Sequence, residues 1–246
     1  MDIYYKNIIL DNLEDLRSKS GKWEEGRSAA TLGRFIFEHD GIEQIESIVS
    51  AILKSKNISF NWSPNVAIFE HESKFDKYGK GRIHDLALRD SDNRIFVGVE
   101  AKVVEPFDSR DIQSAYLSGL IRRAKGDSSN ITNRIESLIR RNNFRQFKKE
   151  DLSLKYQLLF STIGTACEDA ECCIFLVLVF KTSFYDEVAG AENYHDYQKF
   201  MNAISSKRIN SDMDLREVEV FADEKLENKK TIYAAYKYIE AEDWNN

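Results

Sequence analysis

Residues 96–102 of this 246-residue chain read FVGVEAK, an apolar segment that ends in two charged residues. Its β-branched and aromatic residues favour a strand. Because side chains alternate between the two faces of a strand, Glu100 and Lys102 project from one face, beside Gly98. The opposite face then carries Val97, Val99, Ala101 and Val103. The segment therefore predicts a strand that presents a carboxylate and an ammonium side by side.

A second acidic residue reaches the same place from the preceding strand. Residues 83–88 form another apolar run, and the intervening residues 90–93, DSDN, are typical of a turn. We expect the two runs to pair as a hairpin, which brings Asp85 close to Glu100 and Lys102. Two carboxylates and one amine then converge at the ends of two neighbouring strands.

These three residues suit metal-dependent hydrolysis of a phosphodiester bond. Mg²⁺ is typically bound by one or two carboxylates together with water and phosphate oxygens, so we expect Asp85 and Glu100 to be its ligands, with Mn²⁺ as a substitute. Lys102 would orient the attacking water and offset charge that develops on the phosphate. A plain ion pair on the sheet, worth about 0.2–1 kcal/mol, is the structural alternative.

The rest of the chain predicts helices and strands in an order that suits an α/β sandwich. Helices are expected at 27–38, 42–53, 111–124, 131–142, 154–170 and 194–205, and strands at 58–69, 83–88, 94–104, 172–180, 217–222 and 231–239. The run 172–180 is continuously apolar, as in a strand covered on both faces. We therefore expect one α/β domain over residues 1–246, with a mixed β-sheet flanked by helices on both faces.

The motif and its surroundings resemble the PD-(D/E)XK nuclease superfamily, which has the restriction-endonuclease-like fold. Asp85 matches the first acid of that family and residues 100–102, EAK, match its E-x-K element, whereas His84 stands where the namesake proline would be. Three longer segments are similar to a group of uncharacterised bacterial members: WEEGRSAATLGRFIF, VGVEAKVVEPFD and KYQLLFSTIGTACEDAECCIFLVLVF. The resemblance covers about residues 22–182 and leaves a C-terminal α+β extension unassigned.

The resemblance implies a Mg²⁺-dependent nuclease that acts on DNA, and it adds two site residues. Glu46, at the border of the apolar face of its helix, matches the first-helix Glu that reaches the metal in many members; a solvated edge position is the alternative. Gln157 begins a stripe that continues with Ser161, Gly164 and Glu168, and it matches the glutamine-bearing helix that lines the site. A polar outer face is the alternative for this stripe.

Positive charge is concentrated in one segment of an acidic chain. There are 35 Lys and Arg against 41 Asp and Glu, a net charge of −6. Residues 122–149 contain nine basic and two acidic residues, a local +7 that leaves −13 for the remainder. We expect this segment to contact nucleic-acid phosphates beside the acids, through Arg122, Arg123, Arg140, Arg141 and Arg145. A solvated helix face is the alternative.

Composition narrows the class of protein further. The longest apolar run has nine residues, against the roughly 20 of a membrane helix, and the first residues lack the features of a secretory signal. We therefore expect a cytoplasmic protein without membrane contact. The three cysteines and four histidines show no zinc spacing. A catalytically inactive nucleic-acid-binding module and an acidic protein-interaction module on the same fold are the alternative functions, and a homodimer is one oligomeric state to test.

Overall fold

The protein is described by a computed structural model over residues 1–21, 23–59, 62–241 and 244. Within these residues one sheet of nine strands has the order β2-β1-β3-β4-β5-β6-β9-β8-β7. The strands are β1 (Asp2–Tyr5), β2 (Ile8–Ile9), β3 (Pro64–Ser73), β4 (Arg82–Asp90), β5 (Ile95–Lys102), β6 (Cys172–Lys181), β7 (Ser206–Asn210), β8 (Leu215–Phe221) and β9 (Lys229–Glu240).

The sheet mixes parallel and antiparallel pairs. β1 with β3, β5 with β6, and β6 with β9 are parallel, whereas the other five pairs are antiparallel. The β4–β5 pair is the predicted hairpin. β9 lies beside β6, so the C-terminal strands β7 to β9 extend the sheet that carries the motif. Lys22, at the predicted start of the nuclease-like core, lies outside the described residues.

Helices cover both faces of the sheet, as predicted. They are α1 (Leu13–Lys19), α2 (Ser28–Glu38), α3 (Gly41–Ser55), α4 (Ile112–Ala124), α5 (Ile131–Arg141), α6 (Tyr156–Ala166) and α7 (Glu187–Ala203), with a 3-10 helix at Lys149–Ser153. Apolar residues of α1, α2 and α3 pack in one core. Those of α4 to α7 pack in a second core on the other face. The mixed α/β class is therefore confirmed.

The two cores confirm the alternation predicted for β5. Val97, Val99, Ala101 and Val103 belong to the core under α1 to α3, whereas Phe96 belongs to the core under α4 to α7. β6 alternates in the same way, with Ile174 on the first face and Phe175 on the second. All eight residues of β5 are buried. Any charged side chain on this strand is therefore held inside the molecule.

Several elements differ from the sequence-based expectation. α7 begins at Glu187, seven residues before the predicted start, because the Asp186 carboxylate caps it by accepting a hydrogen bond from Ala189 N at 2.8 Å. β3 begins at Pro64 and runs to Ser73, and Phe60 and Asn61 of the predicted strand 58–69 lie outside the described residues. β1, β2, α1 and β7 were not predicted. Within the described part of the chain, no helix is long and apolar enough to cross a membrane.

Candidate active site

The two charged residues of β5 are buried at the carboxyl end of the strand. Glu100 is 2% exposed and Lys102 is 5% exposed. Lys102 Nζ lies 2.6 Å from Glu100 Oε1 and donates a hydrogen bond to the carbonyl oxygen of Pro106 at 3.2 Å. The Phe107 ring lies below the ammonium, 5.3 Å from Nζ to the ring centroid. The ammonium is therefore fixed in position by a carboxylate, a carbonyl and a ring.

The Glu100 carboxylate binds two further side chains. Gln157 at the start of α6 donates from Nε2 to Glu100 Oε1 at 2.7 Å. Arg82 at the start of β4 donates from its guanidinium to Glu100 Oε2. Both oxygens of the carboxylate are thus engaged, one by Lys102 and Gln157 and the other by Arg82.

Asp85 reaches these residues because the alternation of side chains shifts at matching positions of β3 and β4. Phe69 and Leu86 pack in the core on one face, whereas His71 and His84 contact Phe96 in the core on the other. Alternation is therefore shifted between these residues, where the ladder lacks a pair at 70 and 85 and Glu70 has a φ of 52°. The shift places the Asp85 carboxylate against β5, where Oδ2 accepts from Ala101 N at 2.8 Å.

Asp85, Glu100 and Lys102 line one acidic cavity of about 450 Å³ between the carboxyl end of β5 and helices α1 and α2. Lys102 and Arg27 are the basic residues among the described residues that line it. The acidic ones are Glu24, Glu70, Asp85, Glu100 and Glu105. Formally, five carboxylates face two cations, so the cavity favours a cationic ligand.

The two central carboxylates differ in their ionisation. Burial, together with the negative charge of Glu100, raises the pKa of Asp85. Burial opposes the charge of Glu100 as well, but Lys102 and Arg82 outweigh it and hold the pKa of Glu100 below its usual range. Asp85 is thus the less fully compensated of the two carboxylates, although Arg82, Lys102 and the Ala101 N–H act in its favour, and added positive charge beside it would favour its ionised form.

Glu105 fixes the start of α2 against the end of β5. Its Oε1 accepts from Ser28 N at 2.8 Å, and its Oε2 accepts from Val103 N at 3.1 Å and from Val104 N at 3.2 Å. Burial opposes the charge of Glu105, but the backbone N–H groups, that of Ser28 foremost, lower its pKa. A carboxylate at a helix N-terminus is also favoured by the helix dipole. Sequence reasoning assigned this residue no role.

The polar stripe of α6 faces the sheet and is not an outer surface. Gln157 binds Glu100, and Gly164 lies over Arg82, where a Cβ would come within 2.4 Å of the Arg82 Cβ. Just past the helix, the Glu168 carboxylate accepts from Ser73 Oγ and lies 3.1 Å from His71 Nε2. The stripe therefore lines the buried polar layer that contains the candidate site.

Glu46 does not belong to this group. It lines a separate cavity with Ser50, Leu53, Lys54 and Trp62, on α3 and the segment that follows it. The solvated-edge interpretation is therefore the one that the structure favours, and the predicted role of Glu46 as a metal ligand is wrong. The helix periodicity placed it at the border of the apolar face, and the helix turns that border away from β5.

The predicted arginine surface is divided among different places. Arg141 is 1% exposed and donates to the carbonyl oxygens of Phe75 at 2.7 Å and of Phe221 at 3.1 Å, so it is a buried structural residue and its predicted phosphate contact is wrong. Arg145 donates to the carbonyl oxygen of Ser206 at 3.3 Å. The strand register places Ser206 level with Phe96, at the start of β5, so Arg145 does not flank the acids. Arg140 is exposed on α5.

Arg122 lines a second, basic cavity of about 360 Å³ on the face of α4 to α7. Arg110 and Arg134 line it as well, together with Tyr78 and Tyr156. Tyr156 immediately precedes Gln157, so this cavity adjoins the helix end that binds Glu100. Arg123 supports the loop beside it by donating to the carbonyl oxygen of Ser129 at 2.7 Å. The described lining of this basic cavity contains no acidic residue.

A family model described as a domain of unknown function, DUF6946, matches residues 9–236. The chain therefore belongs to the DUF6946 family. No curated protein and no solved structure matches the chain significantly. Asp85, Glu100, Lys102 and Gln157 all fall within the matched region, so the candidate site is part of the DUF6946 domain.

The oxygen donors of this DUF6946 domain fit a hard divalent cation held by few protein ligands. Within the described ranges, no group of three or more His, Cys, Asp and Glu side chains is arranged to hold a metal ion. Asp85 and Glu100 supply two carboxylates, and Gln157 Oε1 is a buried oxygen without a hydrogen-bond partner. Mg²⁺ is commonly held by one or two carboxylates and completes its shell with water and phosphate oxygens.

Sequence reasoning missed Arg82, Glu70 and Arg110 in the DUF6946 domain. Glu70 is placed by a left-handed backbone conformation that no local pattern reveals. One feature of the sequence could have indicated Arg82. Gly164 in α6 marks a point where this helix approaches the sheet closely, and Arg82 lies there. Arg110 lies outside the basic segment 122–149. It reaches the basic cavity lined by Arg122 through the pairing of Asp111 with Lys155.

Proposed function

We propose that this protein is a Mg²⁺-dependent nuclease that hydrolyses phosphodiester bonds in DNA. The observation that carries the proposal is the convergence of Asp85, Glu100 and Lys102 on one cavity, with Glu100 and Lys102 buried and Asp85 half-buried. Burial of charged groups is costly unless they are paired or bind a ligand. An ion pair between Glu100 and Lys102 alone does not explain why the Asp85 carboxylate lies in the same cavity.

Lys102 would act on the substrate directly. An ammonium has three N–H donors, and two of them are directed at Glu100 Oε1 and the Pro106 carbonyl. The remaining donor can bind the attacking water or a non-bridging phosphate oxygen. Because its nitrogen is already fixed, little reorganisation is needed as negative charge develops in the transition state.

Asp85 and Glu100 would hold Mg²⁺, which supplies positive charge to the phosphate and acidifies a water molecule. Gln157 Oε1, a buried oxygen without a hydrogen-bond partner, would accept a hydrogen bond from a water beside Glu100. Glu105 keeps the start of α2 in place beside them. The surplus of carboxylates in the cavity repels a phosphodiester, so substrate entry depends on a cation being present.

The basic cavity would contact the nucleic-acid backbone. Arg122 is 59% exposed and lies 3.9 Å from the equally exposed Asp127 carboxylate, so it can reach a phosphate. The Arg110 guanidinium lies over the Tyr156 ring, 5.6 Å from its centroid. Arginine guanidinium groups bind phosphate with two parallel hydrogen bonds. This surface replaces the five-arginine surface predicted from sequence.

The experiment is cleavage of supercoiled plasmid and of single-stranded DNA with Mg²⁺, with Mn²⁺ or with EDTA. We expect Asp85→Asn and Glu100→Gln to abolish cleavage, and Lys102→Met to lower the rate by about 10²–10³, as loss of one preorganised donor does. Lys56→Met is the matched control, because Lys56 is a half-buried lysine paired with Glu217 away from the cavity.

Equal nicking by wild type and Lys102→Met would contradict the proposal, since the activity would then come from another site or from contamination. Cleavage of RNA alone would keep the chemistry and overturn the assignment of DNA as substrate. Binding to DNA that survives in all three site variants would assign affinity to the basic cavity.

A further inference from the structure

Arg82 is a charged neighbour of Glu100 that the sequence did not predict. It lies on a different strand, β4. It is 4% exposed and begins β4, so its guanidinium reaches Glu100 Oε2 across the β4–β5 pair. Its stem lies against Gly164 of α6, and its guanidinium lies 5.7 Å from the Phe160 ring centroid. The side chain is therefore enclosed between the sheet and α6.

Arg82 engages the oxygen of Glu100 that a metal would need. Lys102 and Gln157 both bind Oε1, whereas Arg82 binds Oε2. The charges point the same way: two carboxylates, Asp85 and Glu100, face two cations, Arg82 and Lys102. Arg82 repels a divalent ion at Glu100 and holds the oxygen that the ion would bind, so the two cations compete for Glu100 Oε2.

The contact of Arg82 is also incomplete. Its Nε is buried without a hydrogen-bond partner. An unmet buried donor is unfavourable, which limits how strongly the guanidinium is held at Glu100. The pair therefore balances charge without satisfying every donor, as expected of a contact that can be exchanged for another.

We propose that Arg82 is an internal counter-cation for Glu100 which a divalent metal ion must displace, so that Arg82 sets the metal affinity of the site and keeps it folded without metal. This inference rests on the proposed function. Arg82 is accordingly a positioning residue, because it acts on the reaction through Glu100.

The test measures Mn²⁺ binding without any substrate, from the loss of the free-ion electron paramagnetic resonance signal. We expect Arg82→Met to bind Mn²⁺ about tenfold or more tightly than wild type, and Arg82→Lys, which keeps the charge, to remain close to wild type. Arg216→Met is the matched control. Arg216 is 6% exposed and pairs with Asp214 at 2.6 Å, away from the cavity. Its loss should leave Mn²⁺ affinity unchanged.

Thermal unfolding supplies a second measurement. We expect Arg82→Met to lose stability without metal and to gain more from Mn²⁺ than wild type does, since a ligand stabilises the folded state in proportion to the logarithm of its relative concentration. If Arg82→Met is unfolded without metal, Mn²⁺ should refold it, and failure to refold would overturn the inference.

Two other outcomes separate the inference from the proposed function. Equal Mn²⁺ affinity of wild type and Arg82→Met, with loss of binding in Glu100→Gln, would overturn the role of Arg82 and leave the nuclease proposal standing. Absence of Mn²⁺ binding in wild type and every variant, or binding that Glu100→Gln leaves intact, would overturn both.

Discussion

Gly98 shows at the scale of one residue how closely the site depends on packing. A Cβ at this position would lie 2.5 Å from His84 Nδ1, and the His84 ring is fully buried against Phe96. The glycine in FVGVEAK therefore makes room for the histidine that precedes Asp85. His84, in turn, lies 3.0 Å from Ser73 Oγ, so a shift of its ring would disturb that contact.

Gly98→Ala should destabilise the protein by about 1–3 kcal/mol, because a methyl group is inserted into a packed core. Urea unfolding measures the change. Gly21→Ala is the control, since a Cβ there meets nothing within 4 Å; we expect its effect to stay within about 0.5 kcal/mol. Equal stability of Gly98→Ala and wild type would show that His84 is free to move.

Glu168 provides a pH-dependent contribution to stability. Burial opposes its charge, but hydrogen bonds from His71 and Ser73 and the charge of Arg89 lower its pKa below the ordinary 4.5. A depressed carboxylate pKa stabilises the folded state at pH values above the unfolded-state pKa. That contribution is lost as the pH falls through the folded-state pKa.

Glu168→Gln should therefore lower the free energy of unfolding by about 2 kcal/mol near neutral pH, and the difference from wild type should shrink below about pH 4.5. Denaturant unfolding across pH measures it. Glu219→Gln removes an exposed partner of Lys229 and should change little at any pH. A difference for Glu168→Gln that does not depend on pH would contradict the account.

At the scale of elements, the start of α2 is attached to the end of β5 by a single carboxylate. Glu105 accepts from the N–H of Ser28 on α2 and from two N–H groups after β5. Glu105→Ala should therefore release the first turn of α2, at a cost of about 1 kcal/mol. Hydrogen exchange should show faster exchange of amides near Ser28.

The control for that variant is Asp186→Ala, which removes the cap of α7 and should speed exchange at the start of α7 alone. If Glu105→Ala leaves exchange in α2 unchanged, the helix is held by its apolar face and the carboxylate does not position it.

The sequence correctly predicted those strands whose hydrophobic pattern lies within their own residues. β5 and β6 are strongly alternating or continuously apolar, and both were placed correctly, as were the faces of β5. β1 was missed because only four residues form it and its pairing with β3 lies more than 60 residues away. The early start of α7 depends on a cap inside a polar stretch that has no apolar periodicity.

The candidate site divides in the same way. Asp85, Glu100 and Lys102 were found because two adjacent strands encode them, and Gln157 because its helix resembles a known one. The contacts of Arg82 and Glu70 depend on a shift in alternation at residues 70 and 85, which arises from pairing between strands. Arg141 was misassigned because charge in a sequence does not reveal burial.

At the scale of the whole molecule, acids and bases are separated into two cavities. The acidic one lies between β5 and helices α1 and α2, and the basic one lies beside α4, α5 and the start of α6. A net-negative protein thus presents one acidic and one basic cavity. The net charge of −6 alone does not show it.

Arg122→Gln should weaken DNA binding at every sequence and reduce the slope of log affinity against log salt by about one, as expected for one lost phosphate contact. Arg145→Gln is the matched control, because this exposed arginine lies level with the start of β5. Fluorescence anisotropy across a salt series with Ca²⁺ in place of Mg²⁺ measures both. An equal loss in the two variants would mean that binding is spread over the whole basic segment.

The most direct measurement is the position of a bound Mn²⁺ ion, located by anomalous diffraction from crystals soaked with Mn²⁺. We predict one peak in the acidic cavity, within a metal–oxygen distance of about 2.0–2.3 Å of carboxylate oxygens of both Asp85 and Glu100. The peak should vanish in Glu100→Gln. A fully occupied peak elsewhere, or none in this cavity when wild-type crystals are saturated with Mn²⁺, would contradict the account.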